Sequence, residues 1–387
     1  MNSNLHSTET QMIEFDRKQL MASVKRVVVK VGSSTLSRNS ELSGERLDHL
    51  TYDLTKLKQR GTEVVLVTSG AILAGGRQLG FNQRPGTIPE LQASAAVGQI
   101  QLMQAYQSRL QKYGQIPAMA LLTQEDFTSR QRYVHISDTL LTLLRLGAIP
   151  IINENDTVTV DEIKVGDNDT LAAYVTNLID AYLLIILSDQ KGFYTADPRT
   201  DIDAKLINVV SKIDDKIRVL AGKSSTDEGT GGMITKLLAA EIVTGSGGLM
   251  VLADGSEKNI LNRILDGEAI GSLFLPQKRI SSRHRWIAYS RPPKGQVFVD
   301  EGAHHALLNH GGSLLPCGVR EITGKFEFGD TISCRDQNDR EFARGLVNYS
   351  TQEAQQIIGK NTHEIEKVLG YRHYDEIIHR DNLVLIT

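Results

Sequence analysis

Short apolar runs without alternation recur through the first two thirds of the chain, at residues 27–31, 64–67, 116–122, 148–152, 183–187 and 249–252. Val, Ile and Leu dominate them, which is how strands covered on both faces read. Between these runs the spacing becomes helical. Leu47, Leu50, Leu54 and Leu57 repeat at intervals of three and four behind Ser43, a cap residue, and Gly61 supplies a stop. Leu140, Leu143 and Leu144 form a second stripe that ends at Gly147. Strand–helix alternation of this kind predicts a mostly parallel central sheet between helices, an α/β fold in three α/β/α layers.

The pattern changes after Arg291-Pro292-Pro293. Short β-like runs at 296–299, 324–328, 331–333 and 343–347 alternate with glycine turns such as Gly311–Gly312, the signature of a small β domain. The expected organisation is an N-terminal extension over 1–22, an α/β domain over 23–280, a linker over 281–293 and a β domain with its tail over 294–387. The opening residues read either as a polar tail or as a short helix over 10–20.

Composition narrows the class. The chain has 387 residues, enough for a core without staples, and 43 Lys+Arg against 46 Asp+Glu give a net charge of −3. That balance argues against a surface built throughout for nucleic acid or anionic membrane. From Lys294 onward ten basic residues face fourteen acidic ones, so the tail is acidic and nucleic acid is not the expected partner. The two cysteines, Cys317 and Cys334, form no CxxC and no zinc spacing, which fits a reducing cytoplasm. The longest apolar run, 181–187, is far short of the roughly 20 residues a membrane helix needs, and no export signal opens the chain.

Five segments carry candidate chemistry. Val27–Val31 runs into Gly32-Ser33-Ser34, with Lys30 beside the glycine; it is either a phosphate-cradling turn or a strand end with a solvated lysine. Leu66-Val67-Thr68-Ser69-Gly70 is a second strand ending in a small-residue turn, either an ordinary tight βα turn or, as strand ends in open α/β sheets do, part of the same ligand crevice. Asn and Asp crowd the third stretch, Asn153-Glu154-Asn155-Asp156 and then Gly166-Asp167-Asn168-Asp169, flanking a hairpin-like segment. They are either turn and cap residues ahead of a helix over 170–179 or recognition groups for a small zwitterion, whose ammonium seeks amide and carboxylate oxygens. Ser188-Asp189 opens a Gly/Pro turn region with Phe193 and Tyr194, where a nucleobase or the loop's own aromatics would stack. Last, Gly229-Thr230-Gly231-Gly232-Met233-Ile234-Thr235-Lys236 enters an Ala/Leu-rich helix, an anion-binding arrangement that is neither a Walker A motif nor G-x-G-x-x-G.

Lys30 and Lys236, each beside glycine at an element end, supply cations for two sides of a polyphosphate, with Asp169 as an acidic organiser. Phosphoryl transfer requires that kind of positioned charge and little covalent chemistry from the protein.

The ordered set V-V-K-V-G-S-S, V-T-S-G-A-I, I-N-E-N-D, E-I-K-V-G-D-N-D, S-D-Q-K-G-F-Y-T-A-D-P-R and G-T-G-G-M-I-T-K resembles the amino acid kinase family. The tail, with V-D-E-G-A, G-S-L-L-P-C-G-V and F-E-F-G-D, is similar to a PUA domain, expected as a small β-barrel-like unit. The resemblance implies ATP-dependent phosphorylation of the γ-carboxylate of L-glutamate to L-glutamyl 5-phosphate, the first step of proline biosynthesis, with proline as inhibitor at an overlapping site. It implies ATP with Mg²⁺, a metal a nucleotide holds largely by its own phosphates and waters, and a homo-oligomer, dimer or tetramer. Carried over by position, Lys30, Lys236 and Asp169 are the catalytic candidates, and Ser69, Asp156 and Asn168 the glutamate-binding ones. Lys30, Ser188, Asp189, Thr230, Gly231, Gly232, Met233, Ile234, Thr235 and Lys236 are the ATP-binding candidates. Ser188 stands where the family more often has Thr, and Ile234 where a small polar residue is frequent.

Overall fold

A computed structural model describes residues 17–38, 41–158, 168–223, 232–277, 282–289 and 293–386. The chain divides into two compact units between Arg279 and Ile280.

The first unit is built on an eight-stranded sheet. Its strands are β1 (Arg26–Val31), β2 (Glu63–Val67), β3 (Ile116–Leu122), β4 (Ala148–Glu154), β5 (Leu183–Ser188), β6 (Val209–Val210), β7 (Leu249–Asp254) and β8 (Ser272–Phe274), in the order β3-β4-β2-β1-β5-β7-β8-β6. Every neighbouring pair is parallel except β7 with β8. The chain leaves β1 toward β2, then crosses to β5 on its other side, so β1 and β5 flank a topological switch point. In such sheets the ligand crevice lies beyond the carboxyl ends of the strands at that point.

Alternation along β1 assigns its two faces. Val27, Val29 and Val31 join a core with α1 (Gly44–Gln59), α3 (Ile88–Leu110) and α7 (Ile260–Leu265). Lys30 points the other way, toward the layer holding α5 (Asn168–Leu178) and α6 (Met233–Gly245). A further helix on that side, α4 (Arg130–Arg145), is tied to α5 by Ser137, which donates to the Leu178 carbonyl at 3.1 Å. The three-layer sandwich read from the apolar runs is therefore present.

The short helix α2 (Ala71–Gln78) starts at Gly70, whose φ of 109° suits glycine, and lies against α3 at backbone distance. A Cβ on Gly75 would stand 1.8 Å from the Ser94 carbonyl oxygen, and one on Gly98 1.8 Å from that of Ala71. The α1 helix follows its predicted cap, since Ser43 accepts from Arg46 N at 3.4 Å. Asp53 of α1, 3% exposed, accepts from Leu261 N at 3.2 Å and so caps α7 from another element.

The second unit holds a five-stranded sheet of β9 (Gly295–Val299), β10 (Val319–Gly324), β11 (Thr331–Arg335), β12 (Glu341–Leu346) and β13 (Leu383–Leu385), ordered β10-β9-β11-β12-β13. Only β9 with β11 is parallel. The run expected over 324–328 ends as a strand at Gly324, where φ is +88° and the chain turns. Residues 281–293, read as a linker, contain the helix α8 (Ser282–Tyr289), with Trp286, Ile287 and Ala288 buried and Arg344 of β12 donating to the Ala288 carbonyl at 2.6 Å. The prolines 292 and 293 that suggested a linker follow that helix. Residues 17–22 are helical, and the rest of the helix expected over 10–20 lies outside the described residues, as does the hairpin-like segment after Val158.

Candidate active site

Three elements meet beyond the carboxyl end of β1. Lys30 comes from β1 and is 5% exposed; Asp169 comes from the first turn of α5 and is fully buried; Lys236 comes from the first turns of α6 and is 9% exposed. Lys30 Nζ lies 2.5 Å from Asp169 Oδ1, and Lys236 Nζ lies 3.1 Å from Asp169 Oδ2. The Thr235 hydroxyl stands 3.2 Å from the same Oδ2 and 2.7 Å from the Gly232 carbonyl. Position at a helix N-terminus favours the Asp169 carboxylate. Among the described residues two ammonium groups face this one carboxylate in a place with little solvent, a local excess of positive charge. Such a charge calls for an anion. A Cβ on Gly32 would lie 3.6 Å from Lys30 Nζ, so glycine keeps that approach clear.

Asn168, the residue before Asp169, opens a second group. Its Nδ2 lies 2.6 Å from Ser69 Oγ, 2.8 Å from the Thr68 carbonyl and 3.1 Å from Asn153 Oδ1. The loop after β2 is itself fixed, since Thr68 N donates to the Ile152 carbonyl at 2.9 Å and the Thr68 hydroxyl meets Tyr106 Oη at 2.7 Å. Asn153 Nδ2 donates to Gln99 Oε1 at 2.9 Å. Asn168 Oδ1 is buried and accepts no hydrogen bond among the described residues. Asp156 stands two residues beyond β4; burial pushes its carboxyl up to about 6, with Arg84 pulling the other way. At the end of β5, Ser188 is buried and donates to Asp189 Oδ1 at 3.1 Å.

The structure thus joins Lys30, Asp169, Thr235 and Lys236 in one cluster and Ser69 with Asn168 in another, the two adjoining through the Asn168–Asp169 peptide. Gly232, Met233 and Ile234 form the entry to α6, where Met233 is buried and Ile234 is 53% exposed. Thr230 and Gly231 lie outside the described residues. Sequence reasoning passed over Thr68, Gln99 and Tyr106 as site residues. The signal for Gln99 was a long polar side chain in the apolar stretch A-A-V-G-Q-I. Among the described residues no group of three or more His, Cys, Asp or Glu is gathered as a metal-ligand set, and no helix is long and apolar enough to cross a membrane.

Residues 25–252 match the amino acid kinase family and residues 295–369 the PUA domain. The chain belongs to the amino acid kinase family, and it is an enzyme of the kinase class. Its similarity to individual relatives is more particular. It is 52% identical to the glutamate 5-kinase of Thermoanaerobacter sp. (strain X514) over 93% of this chain and 98% of that protein. It is 47% identical to that of Geobacter sp. (strain M21), over 96% and 100%, and 48% to that of Nitrosospira multiformis, over 94% and 98%. Within the family it stands among the glutamate 5-kinases.

Proposed function

We propose that the protein transfers the γ-phosphoryl group of ATP to the γ-carboxylate of L-glutamate, giving L-glutamyl 5-phosphate for proline biosynthesis. The observation that carries this reading is the buried Lys30–Asp169–Lys236 cluster at the switch point of the sheet. A carboxylate approaching a triphosphate sets anion against anion. At an effective dielectric near 20, a unit charge about 4 Å away contributes about 4 kcal/mol, so two ammonium groups offset much of that repulsion. Asp169 holds them at a fixed separation, on Oδ1 and Oδ2 of one carboxylate. The positions then favour in-line approach.

Ser69, Asn168 and Asp156 are read as the glutamate side, with the Asp156 carboxylate facing the substrate's ammonium. Ser188, Asp189 and the α6 entry, Thr230 to Lys236, are read as the ATP side. Mg²⁺ bound with ATP neutralises phosphate charge, and the cationic cluster fits a metal carried on the phosphates and water rather than one caged by side chains. L-Proline shares the ammonium and α-carboxylate of glutamate, which supports its reading as an inhibitor at the same positions. The free, exposed Cys317 fits a reducing cytoplasm. Ile116 and Met119, 63% and 50% exposed on the edge strand β3, support a homo-oligomer.

The test is ADP release with L-glutamate, aspartate and N-acetylglutamate in turn, with hydroxylamine trapping of the acyl phosphate and with and without proline. Turnover with L-glutamate and formation of the hydroxamate are expected. Activity with N-acetylglutamate but none with glutamate would sink the assignment.

A further inference from the structure

Resting on that reading, we infer that Gln99, a residue of α3 outside the catalytic cluster, is a positioning residue that sets how the site recognises the ammonium of its acceptor substrate. An asparagine amide is nearly symmetric in shape, so its orientation is decided by hydrogen bonds. Asn168 donates through Nδ2 to the Thr68 carbonyl, which can only accept, and to Asn153 Oδ1. Its Oδ1 is thereby turned away from these partners and is buried without one among the described residues. Near neutral pH the only hydrogen-bond donors on glutamate are the three N–H bonds of its ammonium, so that oxygen is an acceptor matched to the ammonium.

The orientation holds only while Asn153 keeps its own. Were Asn153 to flip, its Nδ2 would face Asn168 and the polarity of the pair would reverse. Two groups prevent this. Glu154 N–H, a donor only, reaches Asn153 Oδ1 at 2.9 Å, and Gln99 Oε1 accepts Asn153 Nδ2 at 2.9 Å. Gln99 is 9% exposed and in turn donates through Nε2 to Met119 Sδ at 3.4 Å. Removing the Gln99 acceptor leaves a buried amide donor unsatisfied and frees Asn153 to turn its Nδ2 toward Asn168 Oδ1. The acceptor meant for the ammonium is then consumed inside the protein.

The experiment compares the parent with Gln99→Met, which keeps length and volume but loses the amide. KM for L-glutamate is expected to rise about tenfold, with kcat changed less than threefold and KM for ATP unchanged. Glutarate, which keeps both carboxylates and lacks the ammonium, provides the readout that a general loss of structure would also move. Its inhibition constant against glutamate is expected to be the same in parent and variant. An unchanged glutamate KM in a folded variant, or equal weakening of glutamate and glutarate, overturns the inference. Gln99→Leu repeats the measurement should the methionine variant lose its fold. Failure of the parent itself to turn over glutamate would overturn the proposed function instead, so the two failures are separable.

Discussion

Lys30 Nζ rests 2.5 Å from Oδ1 of Asp169, a fully buried carboxylate whose other oxygen faces Lys236. Among the described residues this carboxylate is shared by both ammonium groups, so removing it sets two like charges together in a dry place. Lys236→Ala should lower kcat by about 10²–10³, the size expected when one preorganised charge at developing negative charge is lost, with a smaller change in the KM for glutamate. Steady-state kinetics with both substrates varied would measure this, and normal turnover would remove Lys236 from the phosphoryl-transfer role.

On the proposed reading, Asp156 would tie glutamate affinity to pH. Burial raises its carboxyl to about 6, so the charge that would face an ammonium is present above that pH and lost below it. The KM for L-glutamate should therefore climb as pH falls from 7 to 5. In Asp156→Asn it should be high throughout and flat across that window, with kcat less affected. A parent profile as flat as the variant's would exclude Asp156 from binding the substrate.

Asp53 predicts a pH effect on folding rather than on catalysis. Burial pushes its carboxyl up to about 6 against an ordinary value of 3.8, although Leu261 N–H and His49 oppose the shift. The folded state then holds a proton that the unfolded chain has released between about pH 4 and 6, and stability falls as pH rises through that window. Asn in place of Asp53 keeps an acceptor for Leu261 and carries no charge. The melting temperature of Asp53→Asn relative to the parent should be higher at pH 7.5 than at pH 4.5, and a constant difference would contradict the account.

Gly98→Ala should be among the most damaging single-methyl changes in the first unit, because the new carbon would meet the Ala71 carbonyl at 1.8 Å. Relief requires α3 to move away from α2, and overpacking of this kind costs about 1–3 kcal/mol or more. Denaturant unfolding would show it; a loss within 0.5 kcal/mol would mean that the helices separate freely.

The sheet was legible because its central strands are buried on both faces and read as runs dominated by Val, Ile and Leu, as in β1, β4 and β5. The edge pair β6 and β8 escaped, being two and three residues long. Helix α8 escaped because the arginines and histidine of 282–285 hide the short apolar face of Trp286, Ile287 and Ala288. At the site, Lys30, Asp169 and Lys236 could be named from the conjunction of two lysines near glycine-bearing element ends with an acidic residue, and from the resemblance that carries the same three positions. Gln99 and Tyr106 could not. Each acts through a partner more than thirty residues away in sequence, and the apolar surroundings of Gln99 mark burial without naming that partner.

The glycine contact between α2 and α3 bears on how the site can move. Ser69 lies at the foot of α2, and Gln99 is next to Gly98 on α3. With backbone against backbone there is no layer of side chains for the two helices to slide upon, so they travel together. Any motion that shifts the Ser69 loop carries the amide chain of Gln99, Asn153 and Asn168 with it. The half of the site read as the acceptor side is then a single rigid jaw whose parts keep their spacing.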